Sequence, residues 1–105
     1  MTAGWVYLAI AIVCEIAATS ALKESDGMAR PLPAVAALVG YAIAFICLAR
    51  ALRTIPLGVA YAIWSGVGIL CLTLIGLVVY KQPITAMQYG GILAIAVGVV
   101  MLGAN

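Results

Sequence analysis

Four long runs of apolar residues alternate with three short polar segments along this 105-residue chain. The runs cover roughly residues 4–22, 33–51, 56–80 and 86–102. A helix needs about 20 mostly apolar residues to cross a hydrocarbon core of about 30 Å, and each run meets that length within the accuracy of such boundaries. An open sheet cannot satisfy its backbone in lipid, and four short strands cannot close a barrel. The pattern therefore predicts an all-α membrane protein with a single domain of four transmembrane helices.

The polar segments are tight connections rather than domains. They cover residues 23–33, 50–56 and 81–85, and Pro33 and Pro56 stand where helices can begin. Such short connections make successive helices antiparallel neighbours. The first run has no basic segment before it and is followed by further runs, so we expect a retained span rather than a cleaved signal peptide.

Composition supports the membrane interpretation and excludes several functions. The chain is 68% hydrophobic and only 8% charged, which is too little charge for a soluble domain of this size and too much hydrophobicity for a disordered chain. A net charge of +2 without a basic cluster argues against nucleic-acid binding. The three cysteines lie inside apolar runs without metal-ligand spacing, and the chain has no histidine. We therefore expect no cofactor, no metal site and no enzymatic function.

The basic residues give almost no preferred orientation in the membrane. Arg50 and Arg53 lie on the same side as the N-terminal amine, whereas Lys23, Arg30 and Lys81 lie on the other side. Orientation normally follows the side with more lysine and arginine. The balance here predicts insertion in both orientations; the alternative is a small bias that still fixes one of them.

Glu15 is the residue that most clearly points to chemistry. It stands in the middle of the first run, where a carboxylate costs several kcal/mol, about 2.5–3.5 on insertion scales. No basic residue lies inside a span to neutralise it. The carboxyl group must therefore be protonated, or be ionised and hold a cation from outside. A site that alternates between these states exchanges protons for cations; the simpler alternative is a protonated Glu15 in an interhelical hydrogen bond.

Residues three or four positions from Glu15 share its helix face. These neighbours are small or of mixed character, which leaves room beside the carboxylate. Trp5, near the helix start, is either an interfacial anchor or a substrate contact. The residues predicted to line the site from this helix are Leu8, Ala11, Ile12 and Thr19, with Ala18 on the same face.

The third run carries a second group of candidate residues. Tyr61, Trp64 and Ser65 fall on one face of the helix, together with Gly68. An aromatic pair can hold a cation by cation–π contact, and a hydroxyl can bond a carboxylate. Gly66 and Gly68 permit a kink that would let two arrangements interconvert. The alternative is an aromatic packing face with glycines for close helix contact.

The second and fourth runs supply lining and association residues. Tyr41 and Phe45 share a face of the second helix and are candidates for the same cavity. The fourth helix has a stripe of small residues, Gly91, Ala94 and Gly98, of the kind that lets transmembrane helices approach closely. One chain of four helices is too small to enclose a pathway. Two copies in opposite orientations would form the inverted repeats that secondary transporters use.

With these features, the sequence resembles the small multidrug resistance transporters over essentially its whole length. The resemblance lies in CEIAATSALK around Glu15, in the loop ESDGMAR, in the turn LRTIP and in the block AYAIWSGVG. The last block is the most specific of the four. Gly91 and Gly98 also match the family's seven-residue spacing for dimerisation.

The resemblance implies proton-coupled export of small hydrophobic cations by an antiparallel homodimer in the bacterial inner membrane. Its energy source would be the proton gradient, and its partners protons, the exported compounds and the lipid bilayer. By this resemblance Glu15 binds protons and substrate in competition. The remaining roles it implies are substrate binding for Tyr61 and Trp64, cavity lining for Tyr41 and Trp5, orientation of the glutamate for Ser65, and the conformational kink for Gly66 and Gly68.

Two details favour the branch that exports quaternary ammonium and polyaromatic cations over the guanidinium branch. Glu15 is followed by IAATS rather than by tryptophan, and Trp64 is followed by Ser65. Trp5 and Ala18 depart from the tyrosine and glycine common in the family, and Ala18 could narrow the space beside Glu15. The other interpretations of the sequence are a paired heterodimer, a channel and a non-transporting accessory subunit.

Overall fold

The computed structural model of the chain describes residues 2–104, which form four α-helices in sequence order. Each helix is long and apolar enough to cross a membrane, and residues 2–104 contain no strand. These findings confirm the prediction of an all-α membrane protein with four spans. The helices are α1 (Thr2–Glu24), α2 (Pro31–Ala51), α3 (Leu57–Val78) and α4 (Ala86–Ala104).

Prolines and a capping box set where three of the helices begin. Pro31 opens α2, where a missing backbone N–H costs little. Pro56 precedes α3, and its carbonyl accepts a bond of 2.9 Å from the Ala60 amide. Thr85 caps α4: its hydroxyl accepts from the Gln88 amide at 3.2 Å, and the Gln88 side chain accepts from the Thr85 amide at 2.8 Å.

The end of α3 falls slightly before the predicted residue 80. The helix finishes at Val78, and Lys81 then adopts a left-handed backbone with φ 56°. The Gln82 amide donates to the Gly76 carbonyl at 2.9 Å, so the chain folds back over the last turn. Hydropathy could not show this end, because the residues after Val78 are also apolar.

The first connection is a compact turn around a buried serine. Ser25 is fully buried; its hydroxyl donates to the Leu22 carbonyl and accepts from the Met28 amide at 3.0 Å. Asp26, Gly27 and Met28 have φ values of 51°, 66° and 72°, three consecutive left-handed residues. A left-handed backbone is costly for non-glycine residues. The hydrogen bonds of the buried Ser25 hydroxyl to Leu22 and Met28 connect the two sides of this turn.

Contacts group the chain into two compact units, one ending at Ala60 and the other beginning at Tyr61. The first unit contains α1 and α2, which pack as an antiparallel hairpin through small side chains. A β-carbon on Gly40 would lie 2.8 Å from the β-carbon of Ala18 and 3.4 Å from the Cys14 carbonyl oxygen. This close approach of α2 to α1 is possible because position 40 has no side chain.

The second unit contains the rest of α3 together with α4. A β-carbon on Gly66 of α3 would overlap the Cγ2 atom of Val99 on α4. The two helices therefore touch at Gly66. None of the described residues of α4 is buried, so most of this apolar helix faces outward.

Candidate functional site

The Glu15 side chain is half-buried in the middle of α1 and shares its helix face with Thr19. The Thr19 hydroxyl donates to Glu15 Oε1 at 3.0 Å. Residues four apart in a helix are neighbours, so this bond arises within α1 itself. The hydroxyl of Thr19 thus lies against the carboxylate, and its role in binding stays a prediction.

Tyr41 of α2 extends this contact across the hairpin. Its phenolic oxygen lies 2.7 Å from the Thr19 hydroxyl oxygen. The close contact between Ala18 and Gly40 brings these two side chains together, since each is the next residue along its helix. Three residues predicted for the site, Glu15, Thr19 and Tyr41, thus form one connected group inside the first unit.

The second carboxylate oxygen of Glu15 is buried and has no hydrogen-bond partner among the described residues. A buried polar atom without a partner is costly. The described part of the chain has no cluster of histidine, cysteine, aspartate or glutamate that could hold a metal ion. The chemistry available to Oε2 is therefore that of a single carboxylate oxygen: it can carry a proton or face a cation.

The other predicted neighbours on α1 are packed rather than open. Leu8 and Ala11 are almost completely buried, and Ile12 is buried as well. Trp5, by contrast, is exposed near the start of the helix. In this arrangement Leu8, Ala11 and Ile12 shape the surroundings of Glu15 but expose little surface to a ligand.

Tyr61 and Trp64 form an aromatic pair on α3. Their ring centroids lie 5.5 Å apart with an interplanar angle of 65°, an edge-to-face arrangement. Tyr61 is 56% exposed, whereas Trp64 is only 8% exposed. The Tyr61 ring is therefore the member of the pair that offers accessible aromatic surface to a cation in this arrangement.

The remaining predicted site residues have mixed environments. Phe45 is exposed on α2. Ser65 is half-buried and lines a groove of about 290 Å³ within the second unit. This groove is otherwise apolar, and its α4 wall includes Gly98 and Val99.

The glycines predicted as a hinge lie in uninterrupted helix. The α-helical backbone of α3 continues through Gly66 and Gly68, and both residues are buried. Gly66 makes the close contact with Val99 described above. The structure thus gives Gly66 a packing role, and the predicted kink remains a prediction about a second conformation.

The small-residue stripe of α4 is accessible. Gly91 and Ala94 are exposed and Gly98 is half-buried. Among the described residues, a β-carbon on Gly91 or Gly98 would have no contact within 4 Å beyond its own stretch of helix. The structure describes one chain, and dimerisation through the stripe remains a prediction.

Sequence reasoning missed the role of Gly40. The signal was present as the small-residue spacing Gly40-x-x-x-Ala44 in α2, a pattern that favours close helix contacts in membranes. The Ala18 methyl group is buried against Gly40 in the contact between α1 and α2, and its effect on the space beside Glu15 stays a prediction.

Comparison with known proteins gives consistent matches over nearly the full chain. The family described as Small Multidrug Resistance protein matches residues 3–100. Quaternary ammonium compound-resistance protein QacE of Escherichia coli is 46% identical over 99 residues, covering 94% of this chain and 90% of that protein. A putative ethidium bromide resistance protein of Salmonella typhimurium is 46% identical over 88 residues, covering 84% and 76% of the two chains. Multidrug resistance protein EbrA of Bacillus licheniformis is 39% identical over 102 residues, covering 97% of each.

Proposed function

Because this chain belongs to the Small Multidrug Resistance protein family, we propose that it exports lipophilic cations from bacteria in exchange for protons. Its four apolar helices and its family make it a multi-pass protein of the bacterial inner membrane. Relatives named as quaternary ammonium compound-resistance and multidrug resistance proteins support transport, rather than enzymatic catalysis, as its function.

The position of the Glu15 carboxylate is the observation that carries the proposal. One oxygen is held by Thr19, and the other is buried without a hydrogen-bond partner among the described residues. An ionised carboxylate in the membrane interior needs a positive charge nearby. A proton and an organic cation both supply one charge to the same group, so each displaces the other.

The basic residues on α1 and α2, the helices that carry Glu15 and Tyr41, lie too far along each helix to supply that positive charge. Lys23, in the last turn of α1, is eight residues from Glu15, about 12 Å along the axis at 1.5 Å per residue. Arg50 is in the last turn of α2, nine residues and about 13 Å beyond Tyr41. Both side chains are exposed. The positive charge that Glu15 needs must therefore come from a proton or from a ligand.

The aromatic residues support an organic cation as the substrate. The exposed Tyr61 ring, braced edge-to-face by Trp64, offers the surface for cation–π contact. The relatives whose names mention quaternary ammonium compounds and ethidium support the same class. Ser65 after Trp64 is the residue that favours this branch of the family over guanidinium export.

Export then follows from competition at Glu15. A cation that enters from the cytoplasm displaces the proton and is held by the carboxylate. A second conformation opens the site to the outside, where protons bind Glu15 and release the cation. The proton gradient drives the cycle, because protons are more abundant on the outer side.

The working unit of this proposal is a homodimer of antiparallel chains. Each chain contributes one Glu15, and the exposed stripe of Gly91, Ala94 and Gly98 on α4 supplies the contact between copies. The balanced charges of the connections are compatible with insertion in both orientations.

The test is the binding of tetraphenylphosphonium to the purified protein from acid to alkaline pH, with proton release recorded. We expect affinity to rise with pH and each binding event to release protons. Glu15→Gln should lose the pH dependence and the proton release. Glu24→Gln is the matched control, since Glu24 is an exposed glutamate at the end of the same helix.

Other outcomes point to the alternatives. Equal pH dependence and proton release in Glu15→Gln would contradict the shared-site proposal. If tetraphenylphosphonium fails to bind at every pH, guanidinium is the next ligand. Binding of guanidinium would assign the chain to that branch, and binding of neither ligand would indicate a non-transporting subunit.

A further inference from the structure

We infer that Thr19 and Tyr41 form a hydroxyl relay that positions Glu15, holding Oε1 so that Oε2 alone takes the proton or the cation. The reference to a cation rests on the proposed function. The relay itself follows from two contacts, 3.0 Å from Thr19 to Glu15 and 2.7 Å between Thr19 and Tyr41. It gives Thr19 and Tyr41 a role beyond the predicted lining of the site.

The direction of the hydrogen bonds is fixed when Glu15 is ionised. A carboxylate can only accept, and a threonine hydroxyl has one hydrogen to donate. Thr19 therefore donates to Glu15 Oε1, and Tyr41 must donate to Thr19. The chain of donors runs from α2 to α1 and ends on the charged oxygen.

A relay of this kind stabilises the ionised carboxylate. Hydrogen bonds to a charged group are stronger than those between neutral groups, and a hydroxyl that itself accepts a bond becomes a better donor. A threonine inside a helix often returns its hydroxyl to the carbonyl four residues earlier. Here the hydrogen goes instead to the side chain of Glu15.

The relay also separates the two oxygens of the carboxylate. Protonation at Oε1 would weaken the bond from Thr19, because a neutral hydroxyl oxygen is a poorer acceptor than a carboxylate oxygen. Protonation at Oε2 leaves Oε1 as a carbonyl oxygen that accepts the Thr19 bond, and Oε2 is the oxygen without a partner among the described residues. Oε2 is therefore the oxygen that exchanges its proton.

Few other titratable groups in the hairpin bear on this geometry. On α1 the nearest is Cys14, which is half-buried and adjacent in sequence, and Lys23 is exposed in the last turn. On α2, Tyr41 is the titratable group in contact with the relay, and Arg50 is exposed at the far end. The relay is the polar contact that α2 makes with the Glu15–Thr19 pair.

The test observes the Glu15 carboxyl group directly, without any ligand. The chain has two glutamates, Glu15 and Glu24. Protein labelled with carbon-13 at the glutamate carboxyl, in lipid bicelles and on a Glu24→Gln background, gives a side-chain signal from Glu15 alone. Its chemical shift, recorded at one fixed pH, responds to the hydrogen bonds that the carboxyl group accepts.

Matched variants separate the hydroxyl from the shape of the side chain. Thr19→Val keeps the shape and removes the hydroxyl; we expect the Glu15 carboxyl signal to move away from its wild-type position, because the bond to Oε1 is lost. Thr19→Ser keeps the hydroxyl and should return the signal to the wild-type position. Ser20→Ala removes the next hydroxyl along the same helix and should leave the signal unchanged.

Tyr41→Phe tests the second link. The loss of its hydroxyl should move the Glu15 carboxyl signal by less than Thr19→Val does, because Tyr41 acts through Thr19. In the presence of Thr19→Val it should then have no further effect. This non-additivity distinguishes a relay from two independent contacts with the carboxylate or with a ligand.

A wild-type carboxyl signal in Thr19→Val, or effects of the two substitutions that simply add, would overturn the relay. Since the sample contains no ligand, the result is independent of cation export. Failure of tetraphenylphosphonium binding would contradict the proposed function and leave the result for the relay standing. Helical content by circular dichroism checks that each variant is folded.

Discussion

Gly40 of α2 approaches Ala18 of α1 so closely that a β-carbon at position 40 would lie 2.8 Å from the Ala18 β-carbon. Carbon atoms pack best at about 3.5–4.0 Å. The next residues along the two helices, Tyr41 and Thr19, are the ones whose hydroxyls meet at 2.7 Å. The separation of α1 and α2 at Gly40 thus sets the geometry at Glu15.

Gly40→Ala should force α2 away from α1. We expect a loss of about 1–3 kcal/mol in stability, the usual cost of overpacking, together with weaker cation binding because the Tyr41–Thr19 contact lengthens. Thermal unfolding of the purified protein measures the first effect. Ala18→Gly should compensate, whereas Gly58→Ala, where a β-carbon meets no atom within 4 Å, should be harmless. If the double variant with Gly40→Ala and Ala18→Gly is as unstable as Gly40→Ala alone, this explanation is wrong.

Gly66→Ala tests whether that glycine serves packing or a hinge. The added methyl overlaps Val99, so we expect a loss of about 1–3 kcal/mol in stability. Val99→Ala should restore the stability by making room. If proteoliposome transport returns with stability, Gly66 is a packing residue. If stability returns and transport does not, the flexibility of Gly66 is required, as a hinge demands.

Tyr61→Leu should weaken cation binding by about 2- to 30-fold, the range of about 0.5–2 kcal/mol expected for cation–π contact. Tyr61→Phe keeps the ring and should bind nearly as the wild type does. Calorimetric titration with tetraphenylphosphonium provides the affinities. Tyr89→Leu is a control, because Tyr89 is a similarly exposed tyrosine on α4. Equal losses in the leucine and phenylalanine variants at position 61 would assign the effect to the hydroxyl instead.

Gly91→Leu should weaken association between copies about tenfold, since small residues allow close contact of membrane helices. A β-carbon at Gly91 has no contact within 4 Å among the described residues beyond its own stretch of helix, so we expect the monomer to fold. Energy transfer between donor- and acceptor-labelled chains in lipid measures association. Gly103→Leu, equally open near the end of α4, is the control. Unchanged transfer in Gly91→Leu would show that the stripe does not face another copy.

The helices were predictable because each is a long apolar run, and a run of that length in lipid has one common solution. The residues at which the helices end were harder to predict. Nothing in the hydropathy of Val79 and Tyr80 shows that α3 stops at Val78, because the stop depends on the left-handed backbone at Lys81. The start of α4 had a local signal in Thr85 and Gln88, and there the prediction agrees with the structure.

Part of the site was predictable because it depends on one helix alone. Glu15 and Thr19 are four residues apart on one helix, so the helical period alone predicts their contact. The contact of Thr19 with Tyr41 joins two helices and depends on their register. That register depends on the fit of Gly40 against Ala18, which neither helix specifies alone.

The buried Ser25 in the first connection affects how the orientation of this protein can be mapped. Accessibility mapping places single cysteines in the connections and records which ones a membrane-impermeant reagent modifies. A cysteine at position 25 would be shielded by its own turn and would be misassigned to the bilayer interior. Asp26 and Gln82 are exposed, and reporters at these two positions will give the orientation of each chain.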